Sequence, residues 1–395
     1  MEGKAWSKRA NKFIKPNSKL SFFADVPQNG TQEQTLRAIY AAVAQLQNTS
    51  YQQGNSMAAG QKKPQAKNSN DVWNNRRGTA RQITRLFVAM ARAAGMKAYV
   101  MDVADRNKTI FSASYLNLEQ LNGEIAIVNV DGQEQYFDPG EPYCPYGKLA
   151  WVHTMTGGLR QTDSGTALAQ TPGMNYKDEV LQRTASLWLA NNGTVNGTAQ
   201  TVYRGQQAMV LRRREMNTDA AGAAKDYEDA LSSVLPKGMV VHLTNVTNAK
   251  DAEQPLIVEY RISGPAATVL SNHLLVPAQL FHAQAKPIFV APERTIGVYF
   301  HYPYMLVDQV EMKLPASVQV ESLPKDVDAS DPQVATYQAK TTQTGNTVTF
   351  QRTMVLGSVY IDTAGYGRLH DFYSQVHASD TASAVLKVTP VAAAQ

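Results

Sequence analysis

The stretch from Thr79 to Asp138 changes its apolar period from helix to strand within a few residues, and nothing else in the sequence constrains the fold as much. Ile83, Leu86, Phe87, Met90, Ala91 and Ala94 recur at helical spacing. Thr79 and Gln82 stand three apart just ahead of them, the spacing of a capping box. Thr79 is therefore the expected N-cap and Ala80 the first helical residue. Gly95 supplies the stop. Ala98 to Val103 then reads as a strand. Glu124 to Val130 and Gln133 to Phe137 read as a hairpin about the turn Asp131-Gly132, ended by Asp138-Pro139.

The two-residue turn sets the hairpin register. It pairs Val130 with Gln133, so Asp138 falls opposite Ile125. Position 123 then lies on the same face of the sheet, diagonal to Asp138.

Around this segment the chain divides into three. Residues 1–30 are basic and irregular, with Pro16, Pro27 and Gly30, and read as a connector. A helix starts at Thr31, with Gln34 completing a second capping-box pattern, and Leu36, Ile39, Tyr40, Val43 and Leu46 form its apolar face. Residues 52–70 read as a polar loop. After about Thr184 short alternating strands take over, such as Leu256, Val258, Tyr260 and Ile262 between polar neighbours. Two helices interrupt them, one carrying Tyr227, Leu231 and Leu235, the other Leu369, Phe372, Tyr373 and Val376. The expected architecture is α+β: a core domain over 31–183, then a β-sandwich-like domain with helical insertions over 184–395.

Length and charge narrow the function. A chain of 395 residues is too long for one ordinary core. Its net charge of +5 does not call for a nucleic-acid partner, and no nucleic-acid-binding signature appears. Eleven Lys/Arg against three Asp between Gln61 and Lys108 read as a solvated basic face. A single cysteine, Cys144, rules out an internal disulfide and a four-cysteine zinc site. The N-terminus lacks an apolar export signal, no run is long enough to span a membrane, and no cofactor motif is present.

The order helix, strand, hairpin, Asp-Pro resembles the core of the transglutaminase-like superfamily of papain-type cysteine enzymes. Arg77-Gly78 leading into LFVAMARAAGMKAY (86–99), and NVDGQEQYFDPGEPY (129–143), carry the resemblance. The wider chain is similar to a bacterial family of unknown function that joins such a core to flanking β domains behind an export signal. The resemblance implies a periplasmic or secreted protein whose signal lies upstream of this chain. In the superfamily a cysteine at the first turn of the helix, a histidine opening the hairpin and an aspartate closing it form the catalytic triad, the helix start favouring a thiolate. The family's Gly-Asp-Cys-Lys-Asp stretch falls on Gly78-Thr79-Ala80-Arg81-Gln82, so the cysteine is replaced by Ala80. The histidine falls on Gly123, and only Asp138 remains. The resemblance thus implies a non-catalytic binding or assembly module with a protein or peptide ligand. The alternative is a cysteine-dependent hydrolase or acyltransferase that borrows Cys144 and His153.

Other candidates read as structural. Thr79 is a cap, Cys144 a packed thiol, and His153 lacks a second ligand at metal spacing. His273 and His282 flank an apolar run as strand or loop residues. One further site is expected from local charge: Arg76, Arg77, Arg81 and Arg85 cluster around the start of the helix at Ala80, where free N–H groups attract anions.

Overall fold

A computed structural model describes residues 2–15, 30–51, 65–115, 117–331 and 333–389. The expected loop therefore lies outside the described residues over 52–64, as does the connector over 16–29. The chain divides into two compact units, residues 1–174 with 209–217, and residues 175–208 with 218–395. The division falls at Met174/Asn175, earlier than the expected Thr184, because the first strand of the second unit already starts at Val180.

In the first unit, α1 (Glu2–Ile14), α2 (Gln32–Ala44) and α3 (Ser69–Asn75) precede α4 (Ala80–Ala93). The short pair β1 (Gln47–Asn48) and β2 (Arg77–Gly78) lies between them. A sheet follows, made of β3 (Ala98–Val103), β4 (Gly123–Val130), β5 (Gln133–Phe137), β6 (Gly157–Thr162) and β7 (Gly165–Gln170), in the order β5-β4-β3-β6-β7. The reading of residues 1–30 as an irregular connector is corrected here. Trp6, Ala10 and Ile14, four residues apart, form an apolar stripe on α1 that is buried in the same core as α2 and α4.

Both capping boxes are present, at Thr31/Gln34 and Thr79/Gln82, and α4 begins at Ala80. Gly95 takes φ +83°, a conformation that ends a helix readily only with glycine. Leu36, Phe87, Val100, Ala126 and Phe137 pack between helices and sheet. Rings of Tyr40, Phe87, Phe137 and Tyr146 meet at centroid distances of 5.0 to 6.1 Å. Each such side chain contributes about 1.5–3 kcal/mol on full burial. The hairpin has the derived register: Val130 pairs Gln133 and Ala126 pairs Phe137, which leaves Asp138 across from Ile125.

The second unit opens with β8 (Val180–Leu189), β9 (Thr194–Tyr203), α5 (Gln206–Glu215), α6 (Ala220–Ser232), β10 (Val240–Thr247) and β11 (Leu256–Pro265). Residues of α5 from Met209 onward are counted with the first unit. It continues with β12 (Thr268–Leu270), β13 (His273–Pro277), β14 (Val298–Tyr299), β15 (Tyr304–Lys313), β16 (Val318–Ser322) and β17 (Val327–Asp331). It closes with β18 (Ala335–Thr344), β19 (Thr347–Leu356), β20 (Tyr360–Ile361), α7 (Tyr366–Asp380) and β21 (Ser383–Val388). Eight strands form one sheet, β10-β11-β9-β8-β15-β19-β18-β17, and β12-β13-β21-β16 a second. Leu369, Phe372, Tyr373 and Val376 of α7 pack with Tyr337, Met354 and Leu356 of the large sheet.

A ladder of ions crosses three neighbouring strands of that sheet. Arg183 on β8 lies beside Asp308 on β15, and Asp308 beside Arg352 on β19. Arg183 Nε donates to Asp308 Oδ1 at 2.7 Å, and Arg352 Nε to Asp380 Oδ1 of α7 at 2.8 Å. Burial alone would push the Asp308 carboxyl up. The charge of Arg183 and the hydrogen bonds from His282 and Arg183 hold it well below the usual carboxylate range instead.

Candidate functional site

The site is built around the first turn of α4. Thr79 Oγ1 accepts from Gln82 N at 3.3 Å, and Gln82 Oε1 accepts from Thr79 N at 2.9 Å. The parallel pair β1–β2 draws the preceding loop alongside, Asn48 beside Gly78, with Thr49 N donating to Gly78 O at 2.8 Å. Ser50 consequently sits over the helix start, where its Oγ accepts from Ala80 N at 3.0 Å. The turn after β5 closes in from the other side. A β-carbon on Gly140 would lie 2.8 Å from both Ala80 O and Thr84 Oγ1, so only glycine lets this turn pass so close.

Asp138 is fully buried, and its Oδ2 accepts from Ala150 N at 3.1 Å and from His153 Nδ1 at 2.7 Å. A carboxylate can only accept, so Nδ1 carries a proton. His153 ends a short 3-10 turn, Trp151–His153, and is itself buried. Burial works against its charged form. The charge and hydrogen bond of Asp138, with Glu141 behind it, prevail and push the imidazole up to about 9. The far edge of the ring abuts Gly123. A β-carbon there would collide with Nε2, would stand 2.8 Å from Cδ2, and would press on Val103 Cγ2 at 3.1 Å.

Glu141 completes the cluster. The Tyr51 hydroxyl donates to its Oε1, and Arg213 NH1 to its Oε2 at 2.7 Å. Burial first, and then the charge of Asp138, push the Glu141 carboxyl up. Cys144 is buried, with its thiol donating to Lys148 O at 3.3 Å. Burial pushes this thiol well above its ordinary value, and Asp138 and Glu141 add to the shift.

Of the arginines expected to form an anion site at the helix start, Arg81, Arg85 and Arg76 have partners of their own. Arg81 NH1 turns to Asp102 Oδ1 at 2.8 Å and to Glu124 Oε2 at 3.1 Å, and Arg85 NH2 to Glu124 Oε2 at 2.7 Å. Arg76 lies over the Trp73 ring at 4.3 Å. The two buried carboxylates, cross-strand neighbours on β3 and β4, draw Arg81 and Arg85 away from the helix start. Arg81 and Arg76 thus make their contacts elsewhere, while Arg77 lies on β2 beside Gln47.

Of the expected triad positions, the structure brings Gly123 and Asp138 to either side of one imidazole, but that imidazole belongs to His153. From the sequence His153 is no metal ligand and enters only the cysteine-dependent alternative, beside Cys144 and not beside Asp138. The sequence holds one pointer, that His153 is the only histidine in the first unit; that Asp138 is buried and needs a donor is visible only in the fold.

This arrangement of helix start, hairpin and terminal aspartate has known counterparts. Residues 24–137 match the transglutaminase-like superfamily. This segment is a transglutaminase-like core. Residues 272–386, within the second unit, match a domain family of unknown function, DUF3858. Among solved structures, a crystal structure from Parabacteroides distasonis described as a "putative protease" aligns with a TM-score of 0.53 at 12% identity. The alignment covers 98% of this chain and 59% of that one, so this chain spans less than two thirds of its length, and the likeness is one of fold. No curated protein matches the chain. The matched segment ends at Phe137, the residue before Asp138, and His153 lies beyond it.

Proposed function

We propose that the chain is a catalytically inactive transglutaminase-like protein that serves as a binding or assembly module of the bacterial cell envelope. The observation that carries this reading is Ala80 at the first turn of α4, where a methyl group stands in the place the resemblance gives to the nucleophile. Two features support it. The N–H of residue 80 is already taken by Ser50, so a donor that could stabilise an oxyanion is engaged. The His153 ring is wedged between Asp138 and Gly123, with Nε2 against the strand. The envelope assignment rests on the resemblance to exported bacterial proteins, and a peptide or protein is the ligand class it favours.

The test is ammonia release from a glutamine peptide, with and without an acceptor amine. Background rates are expected. Thiol-dependent release abolished by Cys144→Ser would sink the reading in favour of a cysteine-dependent hydrolase or acyltransferase. Fractionation of the source cells tests the envelope assignment, and recovery only with the cytosol would remove it.

A further inference from the structure

The outward face of the large sheet in the second unit has a composition of its own. Along β8 the inward row is Arg183, Ala185, Leu187 and Leu189, and the outward row Gln182, Thr184, Ser186 and Trp188. On β9, Gln200 pairs with Thr184, Thr198 with Ser186, and Asn196 with Trp188. A trough of about 370 Å³ runs over Thr184, Ser186, Thr198 and Gln200, closed by Glu259 of β11 and Thr244 of β10. Trp188 stands two residues further along the same row and leaves 51% of its surface exposed.

The lining selects a ligand by its chemistry. Hydroxyls and carboxamides both donate and accept, so they match a partner that does the same. The trough's one ion, Glu259, is already bonded by Gln200 Nε2 at 3.2 Å and Asn245 Nδ2 at 2.9 Å. Glu311 and Lys313, beside Ser186 and Trp188 on β15, are of opposite sign. Arg261, exposed on β11 beside Thr198, is offset by Glu259 two positions along the same row, so a phosphate or carboxylate finds no net positive charge on this face. An exposed indole in a neutral, hydrogen-bonding field offers an apolar plate next to polar groups, as does the C–H face of a sugar ring beside its hydroxyls.

We propose that this face binds a neutral carbohydrate, with Trp188 stacked on a pyranose ring and Ser186, Thr198 and Gln200 bonding its hydroxyls. The inference is independent of the inactive core, since every residue in it belongs to the second unit.

The whole chain is titrated with cellohexaose, maltohexaose and chitohexaose, followed by calorimetry and tryptophan fluorescence. Trp6 and Trp73 are buried and Trp151 half-buried, so the fluorescence response reports mainly on Trp188. At least one sugar is expected to bind with a dissociation constant below about 1 mM. Trp188→Ala should weaken it on the order of tenfold or more, and Thr198→Ala, an exposed substitution that spares the sheet core, by a smaller factor. Silence from all three sugars at about 5 mM would overturn the proposal. So would a sugar whose affinity is the same in both variants, or one displaced by citrate.

Discussion

The imidazole of His153 occupies the space that any side chain on Gly123 would need, while its Nδ1 is fixed 2.7 Å from Asp138 Oδ2. A histidine supplied from the loop after the hairpin and a histidine at the head of the hairpin are therefore mutually exclusive. The glycine is a steric requirement of the His153 ring.

Gly123→Ala is accordingly expected to destabilise the first unit by about 1–3 kcal/mol, as overpacking does in a tight core. For a unit of this size that lowers its melting temperature by roughly 2–10 °C. In Gly123→Ala combined with His153→Ala the loss should be smaller than the sum of the two single losses. Thermal unfolding followed by near-ultraviolet circular dichroism measures all three variants, and strict additivity would mean that the ring and the glycine do not share the space.

The His153–Asp138 pair also predicts a pH dependence. The folded imidazole is raised to about 9, above its ordinary value near 6.5. The folded state then holds a proton that the unfolded chain has given up, so this contribution is complete below about pH 6.5 and is lost as pH rises through about 9. Stability of the first unit should fall across that window, and His153→Gln should flatten the fall. Glu141, also raised, acts in the same direction. A rise in stability between pH 6.5 and 9 would contradict the assignment of charge.

Cys144 is expected to resist alkylation by iodoacetamide at pH 7.5 in the folded protein and to react once the chain is unfolded. Its thiol is buried and pushed up, which suppresses the thiolate that reacts. Modification of the native protein within minutes, read by mass spectrometry, would show a thiolate that this burial does not permit.

In the second unit, Arg352→Met leaves Asp380 buried without its main cation and should cost about 3–5 kcal/mol. Adding Asp380→Leu should recover part of that loss, because removing both ions also removes their desolvation penalty. Urea unfolding monitored for the second unit distinguishes the variants. Equal stability of Arg352→Met and the parent would mean that the ladder contributes nothing.

How far the sequence revealed this can be judged element by element. The start of α4 at Ala80 was legible because Thr79 and Gln82 cap it through purely local bonds. The hairpin register was legible because Asp131-Gly132 allows only one close pairing. The helix over Glu2–Ile14 was missed because Trp6, Ala10 and Ile14 are sparse among lysines, and its stripe has meaning only once α4 is there to receive it. His153 reaches Asp138 through a 3-10 turn with no periodic pattern, and Arg81 turns from the helix start because of carboxylates on two strands more than twenty positions downstream. Contacts of this kind are decided by tertiary packing, which propensity and spacing do not carry.

The ion ladder has a kinetic side as well. In the eight-stranded sheet only the seam between β8 and β15 is parallel, and it joins Arg183 to Asp308 across 125 residues of chain. No turn sets the register of such a seam, and closing so long a loop makes it a late event in folding. A slip by one position would turn Asp308 outward and strand Arg183 among apolar neighbours with no counter-ion, a penalty of several kcal/mol. The buried ions thus specify the register of a parallel joint that no local turn aligns.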